Sequence, residues 1–282
     1  MTAATGGTGT DGRAATGGGG GDRPGAGGGG YGGGGAAGSP GPDAGLIGDP
    51  GAFMPCPATG DCKIMPLGDS ITAGNGSSDR GSYRSELFRL SLTNARHITF
   101  VGRNLTGPSS VTVGGTTTPF PRNNEGYPGY TIDTQGTRTG IATPAVVDSA
   151  LTLFTPHVIL LMIGTNDVNN DIDLPNLPTR FGALLDRITT MAPDALLVVA
   201  KIIPTSMDAT NTAVQAYNSE IPGQVQARVA AGKHIVVVDQ YAALTANPNY
   251  KNALLNDNLH PNDAGYAVMA RTWYAAIEAY LP

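Results

Sequence analysis

The chain is poor in three things, and each shortage excludes something. It has only two cysteines in 282 residues, too few for a disulfide-built scaffold or a four-cysteine metal site. It has no run of lysine or arginine, and 17 basic against 22 acidic side chains give a net charge of −5. Such a surface does not neutralise phosphates, so nucleic acid is not an expected partner. Nor does any stretch approach roughly 18–20 uninterrupted apolar residues. The segment from Met1 has neither a charged start nor an apolar middle. No membrane span is expected.

The first fifty residues are poor in a fourth thing, apolar side chains. Leu46 and Ile47 are the only members of the Leu, Ile, Val and Phe set there, while 22 of the 41 glycines crowd into the same stretch. That is too little apolar surface to offset the roughly 1–2 kcal/mol per residue of ordering a backbone. Residues 1–50 are therefore expected to be a disordered Gly-rich tail or linker, and residues 51–282 one folded domain.

Cys56 and Cys62 bracket a Pro and a Gly in Cys-Pro-Ala-Thr-Gly-Asp-Cys. A disulfide across so short a loop would contribute about 2 kcal/mol and pin the start of the domain; free thiols are the alternative. A Gly-rich leader, a disulfide and low charge together suggest a secreted or cell-surface protein whose export or anchoring segment was removed or lies beyond this chain.

Apolar runs of strand length occur at 63–67, 97–101, 157–163, 195–203 and 234–239, and the central three are almost continuously apolar. This fits strands buried on both faces of a parallel sheet. Helical stretches lie between them, at 83–92, about 140–153, 179–191 and 212–231. A last one, 263–281, carries Tyr266, Met269, Trp273, Ile277 and Tyr280 on one face as a core stripe, with Asn262 or Asp263 as its cap. Alternating strands and helices imply a doubly wound sheet with its site beyond the carboxyl ends of the strands. His97, His157 and His234 begin strands and so fall at the wrong end; only His260 stands at the right one. The polar segment 102–140 reads as a long loop walling one side of the cleft.

Three short loops carry the chemistry. Ser70 ends the first strand within Gly68-Asp69-Ser70; Asn166 and Asp167 follow the third; Asp257 and His260 lie beyond the fifth. A serine hydroxyl needs a base to take its proton, and an imidazole needs a carboxylate to fix its tautomer and stabilise its charged form. The chain order Ser70, Asp257, His260 supplies all three. Oxyanion donors are available from the Ser70 N–H, a glycine N–H and the Asn166 amide. The sequence has no Gly-x-Ser-x-Gly elbow, no His-Glu-x-x-His, no Walker motif and no Gly-x-Gly-x-x-Gly after a strand. The oxygen-rich stretch 167–173 resembles a calcium loop but has Ile172 where that loop needs glycine and Pro178 where it needs glutamate. No metal or cofactor is expected.

Four blocks together resemble the SGNH or GDSL hydrolases: Ile-Met-Pro-Leu-Gly-Asp-Ser-Ile-Thr at 64–72, Asn-Glu-Gly-Tyr-Pro-Gly-Tyr-Thr-Ile at 124–132, Ile-Gly-Thr-Asn-Asp at 163–167 and Asp-Asn-Leu-His-Pro-Asn at 257–262. With Gly-Ser-Tyr-Arg at 81–84, they look most like carbohydrate esterase family 3, which contains acetylxylan esterases. The resemblance implies a flavodoxin-like three-layer α/β/α sandwich around a five-stranded parallel sheet. It also implies Ser70 as nucleophile with Asp257 and His260, and an oxyanion hole of Ser70, Gly129 and Asn166. The reaction implied is removal of O-acetyl groups from polysaccharide, xylan first. A short-chain lipase, a thioesterase or another glycan deacetylase on the same triad is the alternative, and a non-catalytic glycan-binding module is a more distant one. Tyr83, Tyr127 and Tyr130 are expected to line a sugar-accepting groove. Asp69 and Asp167 are expected to fix loops, with substrate contact open to either.

Overall fold

In the computed structural model, which describes residues 53–282, the chain enters the fold through β1 (Cys62–Gly68), α1 (Ser70–Ala73), α2 (Ser82–Thr93) and β2 (Ile98–Phe100). Four short strands follow: β3 (Asn104–Leu105), β4 (Ser110–Val113), β5 (Thr116–Pro119) and β6 (Asn123–Gly126). A π-helical turn, Pro144–Asp148, leads into α3 (Ser149–Phe154). Strands and helices then alternate through β7 (Val158–Met162), α4 (Thr165–Asn169), α5 (Leu177–Met191), β8 (Leu196–Lys201), α6 (Asp208–Ala230) and β9 (Ile235–Asp239). The chain closes with α7 (Gln240–Thr245), α8 (Tyr250–Ala253) and α9 (Asp263–Ile277). The tail read at 1–50 lies outside the described residues.

The apolar runs become the parallel sheet. β1 pairs with β7, β7 with β8 and β8 with β9, all parallel. Every residue of β7 is buried, as is all of β8 but Lys201. Each Val, Leu or Ile so placed contributes about 1.5–3 kcal/mol. The far edge of β1 is divided between two partners. β2 takes Cys62 to Ile64, and β6 takes Leu67 and Gly68, again in parallel. All five anticipated parallel strands are present. β6, and β3 lying antiparallel on it, extend the sheet to seven.

Chain direction across the sheet sorts the helices. The step from β1 to β2 runs one way, and the steps to β7, β8 and β9 run the other. Right-handed crossovers therefore put α2 on one face and α3, α5 and α6 on the opposite one. α9 returns to pack beside α2, while α5 packs against α3 and α6. The stripe of Tyr266, Met269, Trp273 and Ile277 on α9, with Tyr280 in the 3-10 turn that follows it, is buried as anticipated. Asn262 caps this helix, its Oδ1 accepting from the Gly265 N–H at 3.0 Å. The direction of winding reverses between β1 and β7, which is where a doubly wound sheet opens its binding crevice.

The structure corrects the reading of 102–140 as a loop, because β3 to β6 lie within it. β4 and β5 form an antiparallel hairpin turning on Gly114 and Gly115, whose φ values of +56° and +82° suit the paired left-handed residues of a tight hairpin turn. At the opposite end of the sheet from the crevice, a disulfide joins Cys56 to Cys62, the first residue of β1, with Cα atoms 5.0 Å apart. The strand-leading histidines share that end: His157 Nδ1 accepts from the Lys63 N–H at 3.0 Å, and the His234 ring stacks on Phe53 at 3.4 Å.

Candidate active site

Ser70 is delivered by the end of β1. Gly68 is what allows β1 and β7 to close there: a Cβ at this position would stand 2.2 Å from the Met162 carbonyl oxygen. Asp69 then caps α1, its Oδ1 accepting from the Ile71 N–H at 2.9 Å. Ser70 occupies the first helical position, so its N–H is among those a helix leaves without an internal acceptor. Its Oγ lies 2.9 Å from His260 Nε2.

The loop between α8 and α9 presents His260. The Asn256 N–H donates to the His260 carbonyl at 2.8 Å, a bridge pairs Leu255 with Pro261, and Asn262 Nδ2 donates to the Ala253 carbonyl at 3.0 Å. Asp257, whose side chain is half exposed, completes the loop. Its Oδ1 accepts from the N–H groups of Leu259 and His260, both at 2.7 Å, and its Oδ2 lies 2.9 Å from His260 Nδ1. Burial works to raise the Asp257 carboxyl. The hydrogen bonds from the His260 and Leu259 amides and the His260 ring outweigh it and hold the group below the usual carboxylate range. Asp257 therefore stays ionised and keeps the proton of His260 on Nδ1, leaving Nε2 free to accept from Ser70.

The loop after α1 braces the imidazole. Gly76, at φ +89°, comes so near that a Cβ there would stand 2.4 Å from the Pro261 carbonyl oxygen and 2.9 Å from His260 Cβ. Tyr266, from the buried face of α9, donates to the Asn75 carbonyl at 2.6 Å and holds this loop down.

The turn after β6 and the start of α4 carry the other two expected site residues. Tyr127-Pro128-Gly129-Tyr130 forms a β-turn closed by the Tyr130 N–H on the Tyr127 carbonyl at 3.1 Å. Gly129 has φ +82° at its third position, where a type II turn with proline second needs glycine. The Gly129 N–H has no backbone acceptor among the described residues. Asn166, in the first turn of α4, donates one amide hydrogen to the Tyr130 carbonyl at 2.8 Å. Its second amide hydrogen has no acceptor among the described residues. Asp167 beside it is buried between Arg180 and the Ile132 N–H, which it accepts at 3.1 Å. Burial pushes its carboxyl up to about 6, although Arg180 opposes the shift.

Three expectations about substrate contact are corrected. Tyr83 is fully buried. Its ring packs 5.7 Å from Trp273 and its hydroxyl lies 3.3 Å from Thr72 Oγ1, because α2 turns this face toward α9. Asp69 and Asp167 are fully buried as well, and their hydrogen bonds fix loops as anticipated, with no side-chain surface exposed to a substrate. Tyr127 and Tyr130 stand half-buried and stacked, ring centres 4.9 Å apart. Sequence reasoning assigned nothing to Gly76, Glu125, Arg103 or Arg180. The glycine-rich Asn-Gly-Ser after α1 and the acidic residue of Glu-Gly-Tyr-Pro-Gly were the available signals.

A doubly wound sheet whose switch point carries a serine, a histidine and a carboxylate in hydrogen-bonded sequence defines a hydrolase scaffold of the serine type. Residues 67–268 match the GDSL-like Lipase/Acylhydrolase family, and the chain belongs to that family. It is 32% identical over 235 residues to the multidomain esterase of Ruminococcus flavefaciens, an alignment covering 79% of this chain and 29% of that protein. The chain thus spans less than a third of that relative. Among solved structures it resembles the Clostridium thermocellum family 3 carbohydrate esterase, with 33% identity, a TM-score of 0.64, and 78% of this chain and 97% of that one covered. A family 3 carbohydrate esterase from Talaromyces cellulolyticus shares the fold at 24% identity and a TM-score of 0.60, over 77% of this chain and 96% of that one.

Proposed function

We propose that the protein is a secreted serine esterase that removes O-acetyl groups from polysaccharide, acetylxylan first among them. The observation that carries the reading is the relay from Ser70 Oγ to His260 Nε2 and from His260 Nδ1 to Asp257, each 2.9 Å. Ser70 Oγ attacks the ester carbonyl as His260 takes its proton. The Ser70 and Gly129 N–H groups and the free Asn166 amide hydrogen receive the negative charge that develops on the carbonyl oxygen. The C–O bond to the sugar breaks as His260 returns the proton to the leaving alcohol. Water, deprotonated by the same imidazole, then attacks the acetyl-serine and releases acetate.

The likeness to a family 3 carbohydrate esterase supports the sugar ester over a fatty one. So does the Tyr127 and Tyr130 pair beside the exposed Pro128-Gly129, since stacked aromatic rings give a sugar a flat apolar face. The disulfide supports an oxidising location. The test is acetate release from acetylated xylan by the wild type and by Ser70→Ala. Release by the wild type alone supports the proposal. Release by both overturns Ser70 as nucleophile. Release by neither, with short-chain esters turned over, moves the substrate to another ester, and inactivity on every ester points to a binding module.

A further inference from the structure

The oxyanion turn hangs from an ion pair between a buried carboxylate and a partly exposed arginine that the relay itself does not touch. Glu125 is the third residue of β6 and fully buried. Arg103, from the strand end opposite, wraps its carboxylate: Oε1 accepts from the Arg103 N–H at 2.8 Å and Oε2 from the guanidinium at 3.1 Å. The Arg103 Nε–H also donates to Oε1 at 3.3 Å, and other guanidinium hydrogens go to the Ala145 and Val146 carbonyls at 2.8 and 2.6 Å, which holds the arginine in place. Glu125 Oε2 accepts a second hydrogen bond, from the Tyr127 hydroxyl. A phenol donating to a carboxylate makes one of the stronger hydrogen bonds available to a neutral side chain. Burial and then this bond to Glu125 both push the Tyr127 phenol well above its ordinary range, so it remains a donor.

Tyr127 opens the turn that presents Gly129. Its N–H donates to the Gly68 carbonyl at 2.9 Å, two residues before the nucleophile, and its carbonyl closes the turn on the Tyr130 N–H. The Tyr130 carbonyl in turn holds the Asn166 amide. One continuous chain of contacts therefore runs from Arg103 through Glu125 and Tyr127 to two of the three oxyanion donors. We propose that Glu125, clamped by Arg103, is a positioning residue that sets the oxyanion hole through the Tyr127 hydroxyl. This rests on the serine esterase reading, because it supposes a developing oxyanion to be held.

Tyr127→Phe removes the bond to Glu125 and keeps the ring stacked on Tyr130. Glu125→Gln keeps the volume but turns an amide toward either the Arg103 donors or the Tyr127 hydroxyl. Both are to be assayed on p-nitrophenyl acetate, with affinity for a small boronic acid, which forms a tetrahedral adduct on the serine, measured alongside. The expected result is a ten- to hundredfold fall in kcat, KM within about twofold of wild type, and boronate affinity falling in parallel. A fall in Tm with kcat and boronate affinity unchanged in either folded variant would overturn the proposal, leaving the cluster a packing device. Should one variant fail to fold, the other decides. A wild type that neither hydrolyses the ester nor binds the boronate overturns the esterase reading and this proposal with it.

Discussion

At the scale of single residues, burial separates carboxylates that look alike in sequence. Asp257 is held ionised by the hydrogen bonds it accepts, whereas burial pushes Asp69 up to about 6. Its Oδ2 has no hydrogen-bond partner among the described residues, and neither does the buried Thr165 hydroxyl. In the unfolded chain the same carboxyl loses its proton near pH 4. The folded state thus binds the Asp69 proton more tightly. The stabilisation this gives is fully present below about pH 4 and is lost as pH rises through about 6. Asp69→Asn preserves the carbonyl that caps α1 and removes the buried charge. Its Tm is expected to exceed that of the wild type at pH 8, with a gain of at most ~3 kcal/mol, and to converge on it by pH 4. Thermal melts across that range check the sign; a variant less stable than wild type at pH 8 would mean that the Asp69 charge has a stabilising partner. Asp167→Asn should shift stability in the same direction at pH 8, because burial also pushes the Asp167 carboxyl up to about 6 and Arg180 keeps its ion pair with Asp133 at 2.7 Å. Ser70, Asn166 and His260 were legible in the sequence because each lies just after an unmistakable strand or just before an amphipathic helix. Glu125 and Arg103 were not, since their meeting depends on which strand takes the upper edge of β1.

At the scale of elements, the sequence pattern announced the strands that are buried on both faces and hid those that are not. β7 and β8 read as continuous apolar runs because helices cover both of their faces. β6, Asn-Asn-Glu-Gly, has no apolar residue at all. It is a strand because Gly102, Gly126 and the vacant upper edge of β1 let its backbone approach: a Cβ on Gly126 would stand 2.4 Å from the Ala73 nitrogen. The hairpin of β4 and β5 did carry a signal, a Gly-Gly between Ser-Val-Thr-Val and a run of β-branched threonines, which outweighs the polar composition of the segment. The same logic of close approach governs the junction between the α1–α2 loop and the α8–α9 loop. Gly76→Ala places a methyl against the Pro261 carbonyl at a backbone angle alanine avoids. The His260 loop must shift to admit it, so kcat on a short-chain ester is expected to fall about tenfold or more, with folding retained. Unchanged kcat would show that the α1–α2 loop, not the His260 loop, gives way.

At the scale of the whole molecule, the parallel sheet separates the disulfide from the proposed site. The carboxyl ends of β1 and β7 carry Ser70 and Asn166, while the amino end of β1 carries the Cys56–Cys62 bond. A bond at that end acts on the unfolded chain by closing a short loop, worth about 2 kcal/mol, and on the folded chain by anchoring the segment that stacks Phe53 on His234. Neither effect reaches the relay, whose partners are fixed by Gly68, by the α1–α2 loop at Gly76 and by the α8–α9 loop. Replacing both cysteines with serine is therefore expected to lower Tm by roughly 4–8 °C for a domain of this size. The same double variant should leave kcat on a short-chain ester within about twofold of wild type. Melting curves and initial rates on one preparation test both halves together. A tenfold loss of kcat at temperatures where the double variant is still folded would contradict this separation, because it would require strain at the amino end of β1 to travel the length of the strand to Ser70.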